Sequence, residues 1–354
     1  MNLTQETPKK TKLDLVDTML PVFIGISMAA GILIGHVFTH LGSFLSKIEI
    51  SGTSLPIAVG LLIMMYPVLA KVKYKRSFDL ARDKKLLITS LILNWIVGPA
   101  VMFILAWVFL PNNPPLRNGL ILVGLARCIA MVMIWTELAN GDIDLGAVLV
   151  AINAFFQVIA YSALAYLYLT LIPEWLNLGK SQVNVSFVSI ALNVGIYLGI
   201  PLVAGFSTRY FGEKQWGNDK YENKIMPKLG RLSLYGLLFT IFILFALQGK
   251  AITSKPSQVG LVAIPLIFYF GIMWFGSYAI GREMRFPYPK ATSLAFSAAG
   301  NNFELAIAVA IATFGISSGE ALATVVGPLV EVPVLLGFVT VALYWEKKIH
   351  ARES

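Results

Sequence analysis

Thiols, histidines and charged residues are all scarce in this 354-residue chain. A single cysteine excludes an internal disulfide, a CxxC redox pair and a cluster of several thiols around a metal, because each needs at least two sulfurs. The three histidines, His36, His40 and His350, are too scattered for a metal site. Charged residues make up only 13% of the chain, about half the share of a soluble domain, which excludes the water-soluble classes.

Apolar residues, by contrast, are abundant and are gathered into long runs. They make up 57% of the chain, and the runs have the length of about 20 residues that spans a hydrocarbon core about 30 Å thick. We therefore predict an all-α integral membrane protein. The ten predicted transmembrane helices lie at about 17–38, 54–70, 86–110, 118–139, 145–171, 184–206, 231–249, 256–280, 290–314 and 318–345. The largest segment between them, 207–230, is predicted to be a charged, solvated loop.

The basic residues predict how the chain is oriented. Of the 28 Lys and Arg residues, 22 fall on one side of the ten-span arrangement: in the N-terminal arm, in 71–85, 207–231 and 281–290, and after 345. By the positive-inside rule both termini are cytoplasmic. This rule accounts for the net charge of +9 better than nucleic-acid binding does. Because the first run is long enough to span, we interpret it as a retained helix and not as a signal peptide.

The two halves of the chain share a weak internal similarity. Placing 126–157 over 302–333, a shift of 176 residues, aligns Cys128 with Glu304. The same shift maps the fourth and fifth predicted spans onto the ninth and tenth. Each half would then contain five spans, and an odd number forces the halves into opposite orientations.

Inverted repeats of this kind are typical of secondary transporters, whose binding sites lie near the membrane midplane. We therefore predict a single membrane transporter domain over 1–354, with inverted five-helix repeats at approximately 14–172 and 184–348.

Two of the predicted spans contain residues that suit neither lipid nor a regular helix. Span nine carries Gly300, Asn301, Asn302 and Glu304 between apolar stretches, and span four carries Arg127 at the corresponding depth. An intramembrane Arg or Glu costs at least ~2.5–3.5 kcal/mol unless it is paired or hydrated. Non-helical backbone at this depth is tolerated only beside protein or water. We therefore predict that helices four and nine are discontinuous and line a cavity.

Both regions resemble a known family. The stretches GLARCIAMVMIWTELANGD at 124–142 and AAGNNFELAIAVAIATFGISSGEALATVVGPLVEVPVLL at 298–336 are similar to the signature regions of the arsenical-resistance permeases with one essential thiol. These are arsenite exporters within the bile acid/sodium symporter superfamily. The resemblance implies a ten-helix inverted-repeat antiporter of the plasma membrane that expels arsenite, sometimes antimonite, in exchange for protons. It also implies a panel of spans one, two, six and seven beside a core of the other six.

The resemblance places the essential thiol of that family at Cys128. Trivalent arsenic seeks thiols, and one sulfur holds it weakly enough for release. Arg127, Asn301 and Asn302 complete the predicted substrate-binding residues. The alternatives are that Cys128 is only a small buried hydrophobe and that the two asparagines only cap a helix break.

The essential carboxylate of the family falls on Glu304, which we predict to carry the coupled proton. Burial favours the neutral form of a carboxylate and a nearby cation favours the charged form, so its protonation can be tuned. The alternative is a structural ion pair with Arg127. Glu331, before Pro333 in span ten, is either a second proton-coupling residue or a structural residue whose hydrogen bonds support the broken helices.

Two other classes of function remain open from the sequence. A sodium-coupled importer of an organic anion, as in other branches of the superfamily, would use the same polar residues but would have no task for Cys128. A membrane receptor or scaffold is disfavoured by the paired charges at mid-depth. We find no nucleotide-binding loop or nucleophile–base pair, so we predict a transporter without cofactor and not an enzyme. The oligomeric state is left open.

Overall fold

The computed structural model describes residues 15–38, 49–50, 53–72, 83–129, 131–178 and 187–353. Within these ranges the regular secondary structure is helical apart from a short antiparallel pair, Glu49–Ile50 with Thr53–Ser54. The helices are α1 Leu15–Val37, α2 Leu55–Lys71, α3 Lys84–Phe109, α4 Pro114–Leu125, α5 Met131–Leu138, α6 Ile143–Trp175, α7 Phe187–Trp216, α8 Asn218–Ser254, α9 Pro256–Glu283, α10 Tyr288–Ala299, α11 Phe303–Phe314 and α12 Gly319–Glu353. The predicted N-terminal arm lies outside the described residues.

Seven of these helices contain a stretch long and apolar enough to cross a bilayer: α1, α3, α6, α7, α8, α9 and α12. Many of their large apolar side chains are exposed, as expected for helices that meet lipid rather than water. The chain is therefore a multi-pass membrane protein. The pairs α4/α5 and α10/α11 are short helices interrupted at 126–129 and at 300–302, inside the predicted spans four and nine.

In the described part of the chain, four of the long helices contain one π turn each, and each of these turns precedes a proline. The turns are Leu93–Val97, Leu167–Leu171, Gly195–Gly199 and Tyr221–Ile225. Each ends two residues before a proline: Pro99, Pro173, Pro201 and Pro227 respectively. Proline offers no N–H and its ring clashes with the carbonyl four residues earlier. The wider π turn moves that carbonyl away, so the helix continues past the proline.

The helices pack as two groups. One is a layer in which α8 lies between α1 and α2, and α2 packs on α7; we call these four helices the panel. Glycines bring the panel helices together, since a Cβ on Gly31 would lie only 2.8 Å from the Cβ of Phe245. The other group, α3–α6 and α9–α12, is the core group, in which α9 packs on α10 and α12 while α4 packs on α3 and α12.

The predicted loop at 207–230 is wrong. This segment is helical, and it consists of the end of α7, Gly217 and the start of α8. Gly217 has a φ of 77° and makes the turn between the two helices. The segment stays ordered because the buried Arg209 pairs with Glu213 at 2.7 Å and with Glu222, so that its charges neutralise one another.

Candidate functional site

The two interrupted helices meet at one place, which we call the crossing and which consists of residues 126–129 and 300–302. Here the extended backbone at Arg127 pairs antiparallel with Asn301. Two hydrogen bonds flank this bridge, from Cys128 N to the Gly300 carbonyl at 3.2 Å and from Asn302 N to the Ala126 carbonyl at 3.0 Å. The halves of the chain therefore satisfy each other's exposed backbone, as buried non-helical backbone requires.

Both asparagines of the crossing cap helices. The Asn301 amide donates to the carbonyls of Val123 and Ala126, at 2.6 and 3.2 Å, where α4 ends. The Asn302 side chain accepts from Leu305 N at 3.1 Å and caps α11. Asn301 Oδ1 and Asn302 Nδ2 are buried and make no hydrogen bond among the described residues. In each asparagine, therefore, one end of the amide caps a helix and the other has no hydrogen-bond partner among the described residues.

The Arg127 side chain is fully buried and braces the core group. Its guanidinium donates to Tyr269 Oη at 2.8 Å, to the Ala298 carbonyl at 3.4 Å and to the Gly124 carbonyl. Gly98 leaves room for it, because a Cβ there would lie 2.6 Å from Arg127 Nη1. All of these partners are neutral oxygens. The alternative of an ion pair between Arg127 and Glu304 therefore does not describe this geometry.

Cys128 lies at the crossing with a relative exposure of 2%. Its sulfur accepts a hydrogen bond from Val132 N at 3.3 Å, at the first turn of α5. Gly300 allows the two chains to approach, since a Cβ there would lie 2.9 Å from Cys128 Cβ and 3.4 Å from the sulfur. The one thiol of the chain is thus held at a helix N-terminus and shielded from lipid.

Two carboxylates lie near this sulfur. Glu304, in the first turn of α11, and Glu331, on α12, are 8% and 1% exposed and interact electrostatically with Cys128. Glu331 also interacts with Glu304, and the Asn301 backbone N–H faces it. Neither Glu331 oxygen makes a hydrogen bond of normal geometry with a described residue. The structure thus brings a thiol and two acids together without a basic partner at hydrogen-bond distance from Glu331.

A cavity of about 270 Å³ opens between the panel and the core group. Its walls come from α1, α2 and α8 on one side and from α5 and α6 on the other. It lies at the end of the bundle that carries most of the basic residues, with Lys71 and Glu137 among mostly apolar lining residues. The lining of α5, from Met133 to Glu137, begins at the residue after Val132, whose N–H donates to the Cys128 sulfur.

At the opposite end of the bundle, panel and core group are held together. Gln248 of α8 is 2% exposed, and its Nε2 donates to the Ile316 carbonyl at 2.5 Å, in the turn after α11. The cavity therefore lies towards the basic end of the bundle, and a hydrogen bond joins the panel and the core group at the other end.

The sequence did not reveal two hydrogen-bond partners of Arg127 at the crossing. Gln157 accepts a hydrogen bond from Arg127 N, and Tyr269 receives the Arg127 guanidinium. Gln157 was identifiable as an intramembrane amide, but its partner was not. Tyr269 looks like any aromatic residue of an apolar span, and only the packing of α9 brings it to the arginine.

Comparison with known proteins decides the family. The model of the sodium bile acid symporter family matches residues 58–255. The arsenical-resistance protein Acr3 of Corynebacterium glutamicum is 49% identical over 98% of this chain and 94% of its own length. The chain belongs to the Acr3 branch of the sodium bile acid symporter family.

Two further relatives extend the match. The Acr3 arsenical-resistance protein of Alkaliphilus metalliredigens is 32% identical, over 95% of both chains. An uncharacterised transporter of Synechocystis is 33% identical over 93% of this chain and 88% of its own length. The resemblance inferred from the two motifs is thus confirmed, and the Acr3-type chain is a membrane transporter and not an enzyme.

Proposed function

We propose that this protein exports arsenite, and also antimonite, by exchange with protons. The observation that carries the proposal is the single thiol at the crossing, buried and in the electrostatic reach of two acids. The Acr3 names of two relatives supply the substrate class. A lone thiol suits an arsenic centre that must be released at the end of each cycle.

Arsenic binds by exchange of a ligand. The thiol of Cys128 and As(OH)₃ form an S–As bond, one As–OH bond breaks, and the thiol proton leaves with that hydroxyl as water. Arsenic stays trivalent, and hydrolysis of the S–As bond reverses the step on the far side. The unused halves of Asn301 and Asn302 provide an acceptor and a donor for the remaining hydroxyls.

Proton coupling belongs to Glu304, with Glu331 beside it. In the outward-open state Glu304 takes up a proton as arsenic leaves Cys128, and in the inward-open state it returns the proton to the cytoplasm. The proton-motive force then drives export, so the protein is a secondary active transporter. The neutral partners of Arg127 support this role, because the arginine does not hold Glu304 permanently ionised by direct pairing.

The architecture we propose is ten spans in two inverted repeats, in one transporter domain. Related packing in the two halves supports it: α1 packs on α8 as α7 packs on α2, and α3 packs on α4 as α9 packs on α10. Both termini are then cytoplasmic, in the plasma membrane. The cavity at the basic end becomes the cytoplasmic entrance, and the panel rocks against the core group.

Arsenite uptake into everted vesicles tests the thiol. We expect Cys128→Ser to lose at least 90% of uptake, with and without a pH gradient. The matched control moves the thiol to another buried site: Cys128→Ser combined with Ser162→Cys, on α6, restores a single sulfur but not at the crossing. Full uptake by either variant would show that a sulfur at the crossing is unnecessary.

The proton role is tested separately. We expect Glu304→Gln to bind arsenite, measured on the purified protein, while an imposed pH gradient no longer accelerates its uptake into vesicles. Glu320→Gln, which changes another buried acid on α12, is the control and should keep the pH response. If Glu304→Gln responds to the gradient like the parent protein, the proposed coupling residue is wrong.

A sodium-coupled organic-anion symporter is the second candidate, favoured by the family model that matches residues 58–255. It predicts uptake that depends on a sodium gradient and survives Cys128→Ser. Replacing sodium with choline in the vesicle experiment separates the two functions. Sodium-independent, pH-dependent arsenite uptake leaves only the proposed exporter.

A further inference from the structure

A row of exposed cations follows one face of α8 where this panel helix begins. Lys220, Lys224, Lys228 and Arg231 are spaced by four, four and three residues, which places them on the same side of the helix. The opposite face at this level is buried: Tyr221 and Met226 pack with Ala70 of α2. We call these four side chains the cationic row.

The same face of α8 continues as an apolar surface. Leu232, Tyr235 and Phe239 follow the row and are 41%, 65% and 44% exposed. In a spanning helix, exposed apolar side chains meet acyl chains, and tyrosine is enriched at the boundary between acyl chains and headgroups. The cationic row therefore begins where the acyl chains end.

The nearby acids do not cancel this charge. Glu213 and Glu222 both pair with the buried Arg209, on the side of α8 that faces α7. Asp219 is the exposed acid next to the start of the row. The three cations nearest the apolar surface, Lys224, Lys228 and Arg231, cover about 10 Å of helix at 1.5 Å per residue.

We propose that the cationic row binds the phosphate headgroups of anionic phospholipids, of the phosphatidylglycerol type, while Leu232, Tyr235 and Phe239 pack against their acyl chains. The charge complementarity and the lipid-facing direction of the row together select this partner. A soluble acidic protein would not explain the apolar continuation, and a neutral lipid would not explain the charges.

The proposed lipid contact lies on a helix that also forms part of the cavity wall. The other side of α8 lines the cavity through Gly230, Ser233 and Leu234. The same helix therefore has lipid headgroups on one side and the cavity on the other. Bound anionic lipid stabilises the panel and fixes its depth in the membrane while the core group moves against it.

The test uses the full chain, purified in a detergent with a neutral headgroup. Phosphatidylglycerol is titrated in and binding is followed by the rise of the thermal unfolding midpoint. A cation near an anionic lipid surface contributes about fivefold to affinity, so three contribute about 100-fold. We expect the triple variant Lys224→Gln, Lys228→Gln, Arg231→Gln to need about 100-fold more phosphatidylglycerol for the same rise, and phosphatidylcholine to stabilise neither protein.

Two controls separate the row from overall charge. The triple variant Lys84→Gln, Lys347→Gln, Lys348→Gln removes three exposed cations of α3 and α12 and should respond like the parent protein. The variant Lys224→Arg, Lys228→Arg, Arg231→Lys keeps the charges of the row and should do the same. If the row variant does not unfold cooperatively, the single variants Lys224→Gln and Lys228→Gln should each show about a fivefold loss.

Three results would overturn the proposal: an unchanged phosphatidylglycerol response of the row variant, an equal response of the parent protein to phosphatidylcholine, or an equal loss in the control triple. None of these measurements involves transport. The lipid site can therefore fail while the proposed arsenite exchange stands, and the reverse also holds.

Discussion

At the scale of single residues, the crossing depends on a glycine as much as on its polar groups. Gly300 lies against Cys128, and any side chain there must push the thiol or its backbone aside. The neighbours of Cys128 are themselves fixed, by the bridge between Arg127 and Asn301 and by the hydrogen bond from Val132. The Cβ of an alanine at position 300 therefore cannot be accommodated unless Cys128 moves.

We expect Gly300→Ala to lower arsenite uptake at least tenfold without loss of the protein from the membrane. The cause is steric, because the new Cβ would lie 2.9 Å from Cys128 Cβ. Uptake into everted vesicles, normalised to protein amount, measures the effect. Gly271→Ala on α9 is the control, since a Cβ there meets nothing within 4 Å. Equal uptake by both variants would mean that the crossing tolerates a wider spacing.

The residues of the site differ in how much the sequence says about them. Cys128, Glu304 and the two asparagines were identifiable because a unique thiol, an acid and two amides are expensive or unusual in an apolar span. The partners of Arg127 were not, because Tyr269 and Ala298 are 142 and 171 residues away and only the packing of α9 and α10 brings them close. A charged residue in an apolar span predicts that polar partners lie nearby, but only the fold shows which residues these partners are.

At the scale of helices, the sequence predicted the interruptions and most helix boundaries but not the helix that replaces the loop at 207–230. Its charges suggested solvent. In the structure these charges stabilise the helical segment, because the buried Arg209 pairs with both Glu213 and Glu222. Tyr221 packs against α2 beside them. Hydropathy alone cannot distinguish a solvated loop from a polar helix whose charges pair with one another.

Gly217, between α7 and α8, gives a prediction about this connection. With φ at 77° and ψ at 155° it occupies a region open almost only to glycine. We expect Gly217→Ala to destabilise the protein by about 1–3 kcal/mol, through backbone strain alone, because its Cβ would meet nothing within 4 Å. Gly260→Ala, in the helical region of α9 and equally uncrowded, should instead be neutral or stabilising by up to about 1 kcal/mol. Unfolding of the purified variants measures both, and effects of the same sign would contradict the account.

The contact between Gln248 and Ile316 gives a second prediction at this scale. A buried hydrogen bond between membrane helices contributes about 0.6–1.5 kcal/mol, so Gln248→Leu should favour opening at that end by about 3- to 10-fold. The readout is the labelling rate of Cys128 by a membrane-impermeant thiol reagent added to right-side-out vesicles. Thr240→Val is the matched control, since the hydroxyl of this buried residue donates to the Gly236 carbonyl of its own helix and to no other residue that the structure describes. Labelling no faster than in the control would show that this contact does not hold the end closed.

At the scale of the whole molecule, the panel and the core group leave a cavity at one end and are joined at the other. This asymmetry predicts the side from which the site is reached. Because Cys128 is the one native thiol, Cys128→Ser gives a background in which a single new cysteine reports its own accessibility.

In that background we expect Ala147→Cys, on the cavity wall, to react with an impermeant maleimide at least tenfold faster in everted than in right-side-out vesicles. The reason is that the cavity lies at the basic end, which we propose to be cytoplasmic. Ile159→Cys, on the same helix but 63% exposed towards lipid, should react slowly from both sides. Faster labelling of Ala147→Cys from the outside would reverse the proposed orientation.

The backbone bridge at the crossing also bears on how the protein is made. Its two strands are about 175 residues apart in the chain. At a synthesis rate of about 5–20 residues per second, roughly 10–35 s separate the first strand's emergence from the ribosome and that of its partner. During this interval the carbonyls at the end of α4 lack the groups that later satisfy them. The first half of the chain therefore depends on the second half to satisfy this backbone.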